Sequence, residues 1–226
     1  MMKMCSVFMK GLSTWENKQS EFIKWHPTEL DKRFGAYLTR QFFKCVLAHI
    51  SPDKDAYSLD VGCGSGAYLS QLSSYGFNAV GIDPYIRISY AQLKVLKSWG
   101  EFLPFKDNSM ALCIVAAALD HVNDPEKVIE EIYRVLLPNG YLFVIQSVRE
   151  SAEFDPTHMH SFSEKSLKRL LHKFKIISEQ KYFCIPRTPF VNFLLKNERL
   201  YNEVMRWFQL VGHVRKRSVV LIAAKK

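Results

Sequence analysis

LDVGCGSGAYL, Leu59 to Leu69, holds three of the chain's ten glycines: Gly62, Gly64 and Gly66. The apolar run YSLDV (57–61) ends just before them, and a helical pattern from Ala67 to Tyr75 starts just after. Glycine has no Cβ and accepts positive φ, so such a turn lets a ligand approach the backbone closely. The stretch predicts a strand, a ligand-binding turn and a helix closed by Gly76 in the C-cap role.

What the turn holds depends on spacing and charge. A dinucleotide fingerprint needs GxGxxG, and the spacing here is GxGxG. A P-loop ends in Gly-Lys-Ser/Thr, and this loop has no lysine to offer a triphosphate. Two acidic residues flank it instead. Asp60 precedes the glycines, and Asp83 ends the next strand, NAVGID (78–83). A carboxylate about 20 residues beyond such a loop can accept ribose hydroxyls and would repel a 2′-phosphate.

Outward from the turn, strands and helices alternate. A helix is expected over Tyr85–Lys97, a weak strand over Trp99–Phe102, and a loop over LPFKDNSM. ALCIVAAA (111–118) reads as a buried strand. Pro125–Leu137 is a helix with Asp124 as N-cap, Pro125 at N1 and Asn139-Gly140 as its stop. Tyr141–Gln146 is the next strand. Later come a helix from Ser163 or Glu164 to about Phe174, a strand at Lys175–Phe183, an apolar helix at Phe190–Leu210 and a strand at Ser218–Ala224. Before the turn, residues 14–50 read as helical, with Phe34, Leu38, Phe42 and Val46 at i, i+4 spacing. Alternation of this kind implies an α/β fold with a mostly parallel sheet, and the two late strands suit an antiparallel hairpin at one edge.

The motifs resemble those of the class I S-adenosylmethionine-dependent methyltransferases, in particular the small-molecule type. Leu59-Asp60-Val61-Gly62-Cys63-Gly64-Ser65-Gly66 matches that family's first motif, LD-x-G-C-G-x-G. Val80-Gly81-Ile82-Asp83, Glu101-Phe102-Leu103-Pro104-Phe105, Leu119-Asp120-His121-Val122-Asn123-Asp124-Pro125 and Glu131-Ile132-Tyr133-Arg134-Val135-Leu136-Leu137-Pro138-Asn139-Gly140 follow in the family's order. The resemblance spans residues 57–147 and extends more weakly toward 183. It implies a Rossmann-like, doubly wound sheet of seven strands with an antiparallel edge strand and a helical cap. It implies S-adenosylmethionine as cofactor and S-adenosylhomocysteine as product. The implied cofactor-binding residues are Asp60, Gly62, Cys63, Gly64, Gly66, Asp83, Pro84, Gly100, Glu101, Phe102, Ala117 and Ala118. Two departures stand out. Trp99 and Gly100 occupy the place where the family often has an acidic residue for the adenine amino group, and Ser109-Met110-Ala111 stands where the family reads S-F-D.

One domain is expected over 1–226: a helical cap (1–50), a cofactor-binding core (55–183), a lid insertion (184–213) and a final strand (214–226). Leu200, Val204, Trp207, Phe208 and Val211 form an apolar stripe at helical spacing, which suits core packing, a dimer face or a pocket wall. The five cysteines, Cys5, Cys45, Cys63, Cys113 and Cys184, form no CxxC pair, so no cysteine zinc site is expected. Free thiols and the lack of a signal-peptide h-region or a membrane-length apolar run point to a soluble cytoplasmic protein. The formal charge of +9 favours anionic partners, although the basic residues are scattered.

Methyl transfer needs a general base when the nucleophile must lose a proton. His121 follows the fourth strand, on the ligand-facing edge. DPTHMHSFS (155–163) follows the fifth strand, and it resembles a D-x-x-H loop of some family members. His158 and His121 are the catalytic candidates, with His160 considered beside them. His158 and His160 could be two metal ligands, but only Asp155 and Glu153 are obvious partners to complete a set, so no metal site is expected. The leading expectation is a methyltransferase acting on a small molecule, a metabolite or glycan precursor that is anionic or apolar. An RNA or protein methyltransferase ranks second, although the place of the base-methylating D/N-P-P-Y/F motif reads Ala117-Ala118-Leu119-Asp120. A cofactor-binding protein without catalysis ranks third. The oligomeric expectation is monomer or homodimer.

Overall fold

The computed structural model describes residues 29–51, 53–85, 92–148, 158–183, 200, 203–204, 207 and 217–225. They form seven strands and four helices named here in chain order. These are α1 (Glu29–His49), β1 (Tyr57–Val61), α2 (Ala67–Ser74), β2 (Asn78–Ile82), β3 (Val95–Leu96) and β4 (Met110–Ala116). Then come α3 (Pro125–Val135), β5 (Leu136–Val148), α4 (Glu164–Leu170), β6 (Phe174–Phe183) and β7 (Arg217–Lys225). One sheet has the order β3-β2-β1-β4-β5-β7-β6. β3, β2, β1, β4 and β5 pair in parallel, while β7 runs antiparallel to both its neighbours. The antiparallel strand thus lies one place in from the edge that β6 forms. The order reverses at β1 and β4, and that reversal is where open α/β sheets bind ligands.

Both faces of the sheet are covered, which explains why its central strands are apolar without alternation. Successive residues of β4 serve opposite faces: Cys113 and Val115 pack with Val128, Ile129, Ile132 and Val135 of α3. Leu112 and Ile114 pack with Leu69 and Leu72 of α2 and with Phe42, Phe43 and Val46 of α1. The described end of α1 covers the sheet face with an aromatic cluster that includes Phe42, Phe143 and Tyr68.

Three element boundaries differ from expectation, each because strand pairing overrides local pattern. The third strand is Val95–Leu96, inside the stretch expected as helix, where Lys94 and Leu96 carbonyls accept from Gly81 and Asp83. Trp99–Phe102, expected as that strand, is a turn closed by Phe102 N–H on the Trp99 carbonyl. α3 stops at Val135, and Leu136 already pairs with Met110. The next registered pair is Leu112 with Tyr141, so residues 137–140 bulge outward, with Asn139 at φ 63°. α4 ends at Leu170 rather than near Phe174, because Phe174 is buried as the first residue of β6. The aspartate cap behaves as the sequence suggests, with Asp124 accepting from Lys127 N–H, and Ser163 starts α4 with a capping box to Ser166. No helix among the described residues is long and apolar enough to cross a membrane. Residues 14–28, 86–91 and nearly all of 184–213, including Phe208 and Val211, lie outside the described residues.

Candidate functional site

The glycine turn opens at the carboxyl end of β1. Gly62 and Cys63 N–H groups both donate to the Ile82 carbonyl, which pins the turn to β2. Gly62 (φ 73°), Gly64 (φ 50°) and Gly66 (φ 82°) all lie in the left-handed region. Gly62 also answers to a neighbour: a Cβ there would sit 2.6 Å from the Cβ of Ala118. The loops after β1 and after β4 therefore touch at that glycine. A Cβ on Gly64 would meet nothing within 4 Å, so this glycine faces open space.

That space is a cavity of about 480 Å³. Its floor is Val61 to Ser65, and its walls include Tyr68, Asp83 to Tyr85, Ser98 to Glu101, Ala116 to Leu119 and His121. No lysine or arginine is among the described lining residues. Two carboxylates, Asp83 and Glu101, and three aromatic rings, Tyr68, Tyr85 and Trp99, are. Asp83 is held from two sides: Oδ2 accepts from Gly64 N–H at 2.9 Å and Oδ1 from Tyr85 N–H at 2.7 Å.

Asp60 lies under the turn, 1% exposed, and its carboxylate accepts from the backbone of Leu69 in the first turn of α2. Its Oδ2 has no partner. Burial, and then the nearby charge of Asp83, push its pKa up to about 7 despite the Leu69 bond. Burial, with Asp60 and Asp83 adding to it, also pushes the Cys63 thiol upward, so the cysteine lining the cavity is a neutral thiol.

Behind the cavity, carboxylates tie loops together. Glu101 is buried, and its Oε1 accepts from Asn123 N–H at 2.9 Å and Asp124 N–H at 3.3 Å. Arg134 forks onto both oxygens of Glu131 at 2.8 and 2.7 Å and donates to the carbonyls of Leu103 and Phe105. Glu131 in turn accepts from Leu103 N–H. The E-x-x-R pattern of α3 is thus a clamp on the segment after Glu101, and the bidentate pairing gives it its geometry.

On the far wall, β4 ends at Ala116, and Ala117 turns the chain at φ 49°, an uncommon backbone for a residue with a Cβ. Asp120 follows, 4% exposed. Its carbonyl accepts from Met159 and His160 N–H groups, which anchors the segment after β5 beside the cavity. His160 Nε2 donates to the carbonyls of Val122 and Asn123, at 3.0 and 3.2 Å. Asp120 Oδ1 lies 3.8 Å from His121 Nε2, and Oδ2 lies 3.5 Å from His158 Nε2. The two imidazole rings meet edge to face, 4.7 Å between centroids.

A methyltransferase-domain family model matches residues 59–144, the span that builds this cavity. Over that span the chain is similar to the class I S-adenosylmethionine-dependent methyltransferases. An uncharacterised methyltransferase of Mycobacterium tuberculosis is 34% identical over 98 residues, 41% of this chain and 40% of that protein. An uncharacterised protein of Methanocaldococcus jannaschii is 30% identical over 139 residues, 58% of this chain and 60% of that one. The chain thus spans about 40% of the length of the first of these relatives. Among solved structures, the YcgJ protein of Bacillus subtilis superposes with a TM-score of 0.61 at 16% identity, over 83% of this chain and 99% of that one. Geranyl diphosphate C-methyltransferase of Streptomyces coelicolor gives 0.61 at 12%, over 87% and 81%. At these identities the structures speak for the fold.

Within this methyltransferase fold, Gly62, Cys63, Gly64, Asp83, Pro84, Gly100, Glu101, Ala117, Ala118 and His121 line the cavity together. Four other residues named from the sequence do not. Asp60 lies beneath the turn, and Gly66 is the buried N-cap of α2. Phe102 is 58% exposed, because its turn faces it outward. His158 stands one ring away, against His121. Glu101 lines the wall, but its Oε1 is taken by the loop after β4, so it acts there as a latch. Sequence reasoning missed Tyr68, Tyr85 and Ser98 as lining residues. Tyr68 and Tyr85 are aromatic residues just beyond the first motif and just beyond Asp83, and that adjacency was the available signal.

Proposed function

We propose that the chain binds S-adenosylmethionine in this cavity and transfers its methyl group to a small-molecule acceptor. One observation carries the reading above the others. The cavity over the glycine turn offers an oriented carboxylate and aromatic walls, with no basic side chain for a phosphate among its described lining residues. That chemistry suits a ligand bearing a ribose, an adenine and a cationic amino acid. The residues fit on a second ground: the buried Asp60 Oδ2 lacks a partner, and a cationic ligand would supply compensation for it.

When bound, S-adenosylmethionine supplies a methyl carbon made electrophilic by its sulfonium. Asp83, aimed by the Gly64 and Tyr85 amides, would accept the ribose hydroxyls. Trp99, Tyr85 and the Gly100–Glu101 backbone would enclose the adenine. Gly62 and Ala118, in contact across the turn, keep the floor thin, so the ligand can sit against the backbone. The enclosing walls exclude water and hold acceptor and methyl in line, and such alignment can supply much of the rate. In the transfer, an acceptor lone pair forms the new bond to the methyl carbon. The thioether would leave with the electron pair of the carbon–sulfur bond, and any acceptor proton would pass to a histidine of the site or to water. His121, on the cavity wall, and His158, behind it, are the groups that act on the acceptor.

Titration calorimetry with S-adenosylhomocysteine tests the cofactor half of the reading, with micromolar binding at one site expected. No heat at millimolar ligand, with no rise in melting temperature, would overturn it. A screen with methyl-labelled cofactor against metabolite and RNA pools tests the acceptor half. Transfer to the RNA pool alone would replace the small-molecule reading.

A further inference from the structure

Asp120, His121 and His158 were not expected to form a metal centre. The sequence offers His158 and His160 as a close pair, yet the fold separates their duties. His160 is spent on the Val122 and Asn123 carbonyls, and His158 turns to a carboxylate 38 positions earlier in the chain. The resulting cluster has the chemistry of a cation site. One ligand atom from each of Asp120, His121 and His158 lies within 4.8 Å of the other two. Two imidazole nitrogens and a carboxylate oxygen are the donors that first-row divalent metals prefer, and a three-residue set leaves coordination positions open.

A second observation points at a ligand independently of the donor count. Asp120 is 4% exposed, and its Oδ1 has no hydrogen-bond partner. Imidazole nitrogens stand near both of its oxygens, at 3.8 Å from Oδ1 and 3.5 Å from Oδ2. Those distances exceed hydrogen bonds, yet they are ordinary for two atoms that share one metal at about 2.1 Å from each. A buried carboxylate aimed between two imidazoles is costly unless a positive charge joins it. The Asp120 carbonyl accepts from Met159 and His160 N–H groups, so the two ligand-bearing segments are fixed to each other.

We infer that Asp120, His121 and His158 bind a divalent transition-metal ion at the wall of the methyl-transfer cavity. His121 lines that cavity, so a metal held there would stand beside the acceptor. The acceptor class that follows rests on the methyltransferase reading: a small molecule that chelates through oxygen, such as a vicinal diol, a catechol or a hydroxy acid. A metal there would lower the pKa of a bound acceptor hydroxyl, which would release its proton to water, and would orient the oxygen toward the methyl carbon, in place of direct proton removal by either histidine.

The test uses the full chain, stripped with chelator, with Mn²⁺ and Co²⁺ as probes. Calorimetry with Mn²⁺ should give one equivalent bound, and Co²⁺ should develop visible d–d bands. His121→Ala and His158→Ala should each weaken Mn²⁺ at least tenfold, as should Asp120→Asn. His172→Ala, an exposed histidine outside the cluster, should leave it unchanged. If Asp120→Asn fails to fold, the two histidine variants decide, because both side chains are partly exposed. Absence of Mn²⁺ and Co²⁺ binding to folded protein overturns the site, and so does binding that survives all three variants. Metal binding is read without cofactor, and S-adenosylhomocysteine binding is read without metal. Loss of the second alone sinks the methyltransferase reading and leaves the metal site standing. Full methyl transfer in excess chelator would return the acceptor's proton to His121 and overturn the catalytic half of the inference.

Discussion

Asp60 and Asp120 are both nearly fully buried carboxylates at the ligand edge of the sheet, and each has an oxygen without a hydrogen-bond partner. They differ in who surrounds them. Asp60 is held by a backbone amide nine positions on, at Leu69, and faces another carboxylate, Asp83. Asp120 is flanked by two imidazoles, one adjacent and one delivered from the segment after β5. The first arrangement concentrates negative charge and awaits a cation from a ligand. The second already holds metal-capable donors. One edge of the sheet therefore presents two different anionic sites, in contact through Gly62 and Ala118.

The largest effect should come from Asp83→Ala, which removes the carboxylate that the Gly64 and Tyr85 amides orient. Two charge-assisted hydrogen bonds to a ribose are worth about 3 kcal/mol together, or roughly a hundredfold in S-adenosylhomocysteine affinity. Calorimetry reads it, and a change under threefold would put the ribose elsewhere. Mn²⁺ binding should be unaffected, which separates the two anionic sites. Gly62→Ala strikes the contact between them. Left-handed backbone and a 2.6 Å approach to Ala118 should together cost about 2–3 kcal/mol of stability in urea unfolding. A loss below about 0.5 kcal/mol would mean that the two loops are not in contact.

Glu101→Ala comes next. It should cost about 2 kcal/mol of stability by orphaning the Asn123 and Asp124 amides, while S-adenosylhomocysteine affinity stays within threefold. A large affinity loss at unchanged stability would make Glu101 a ligand residue rather than a latch.

The strand–turn–helix at residues 57–75 was legible because its signals are local: an apolar run, glycines at positive φ and a helix start lie within one short window. Asp83 was legible for a related reason, since it ends the very next strand. The third strand was not. Val95–Leu96 has two residues and no pattern of its own, and it exists because β2 needs a hydrogen-bonded neighbour. The bulge at 137–140 likewise belongs to pairing with β4, which the residues alone do not announce. On the site, His121 and His158 were singled out as separate residues. Their meeting on Asp120 depends on backbone bonds from Met159 and His160, a long-range contact with no local trace. Phe102 misled because its motif position is apolar, while its turn points it outward.

The Asp60 carboxyl makes the stability of the fold depend on pH. Asp60 has an ordinary pKa of 3.8 when unfolded and about 7 in the fold, because burial disfavours its charge. Between those values the folded chain holds a proton that the unfolded chain has lost, so stability falls as pH rises through that window. The contribution is fully present below about 3.8 and gone once pH passes about 7. Asp60→Asn keeps the shape and an acceptor for Leu69 N–H but never ionises. Subtracting its unfolding curves from those of the parent chain isolates this one group from every other carboxylate. Without ligand, the variant should exceed the parent in stability at pH 8 and match it at pH 4. With S-adenosylhomocysteine the sign should reverse. The ligand's ammonium favours the ionised carboxylate, so parent affinity should rise as pH climbs through 7, and the variant should bind about tenfold more weakly at pH 8. A variant that is stabilised and still binds fully would mean that the cation the site awaits never reaches Asp60. The resemblance between the two buried aspartates would then be one of burial alone.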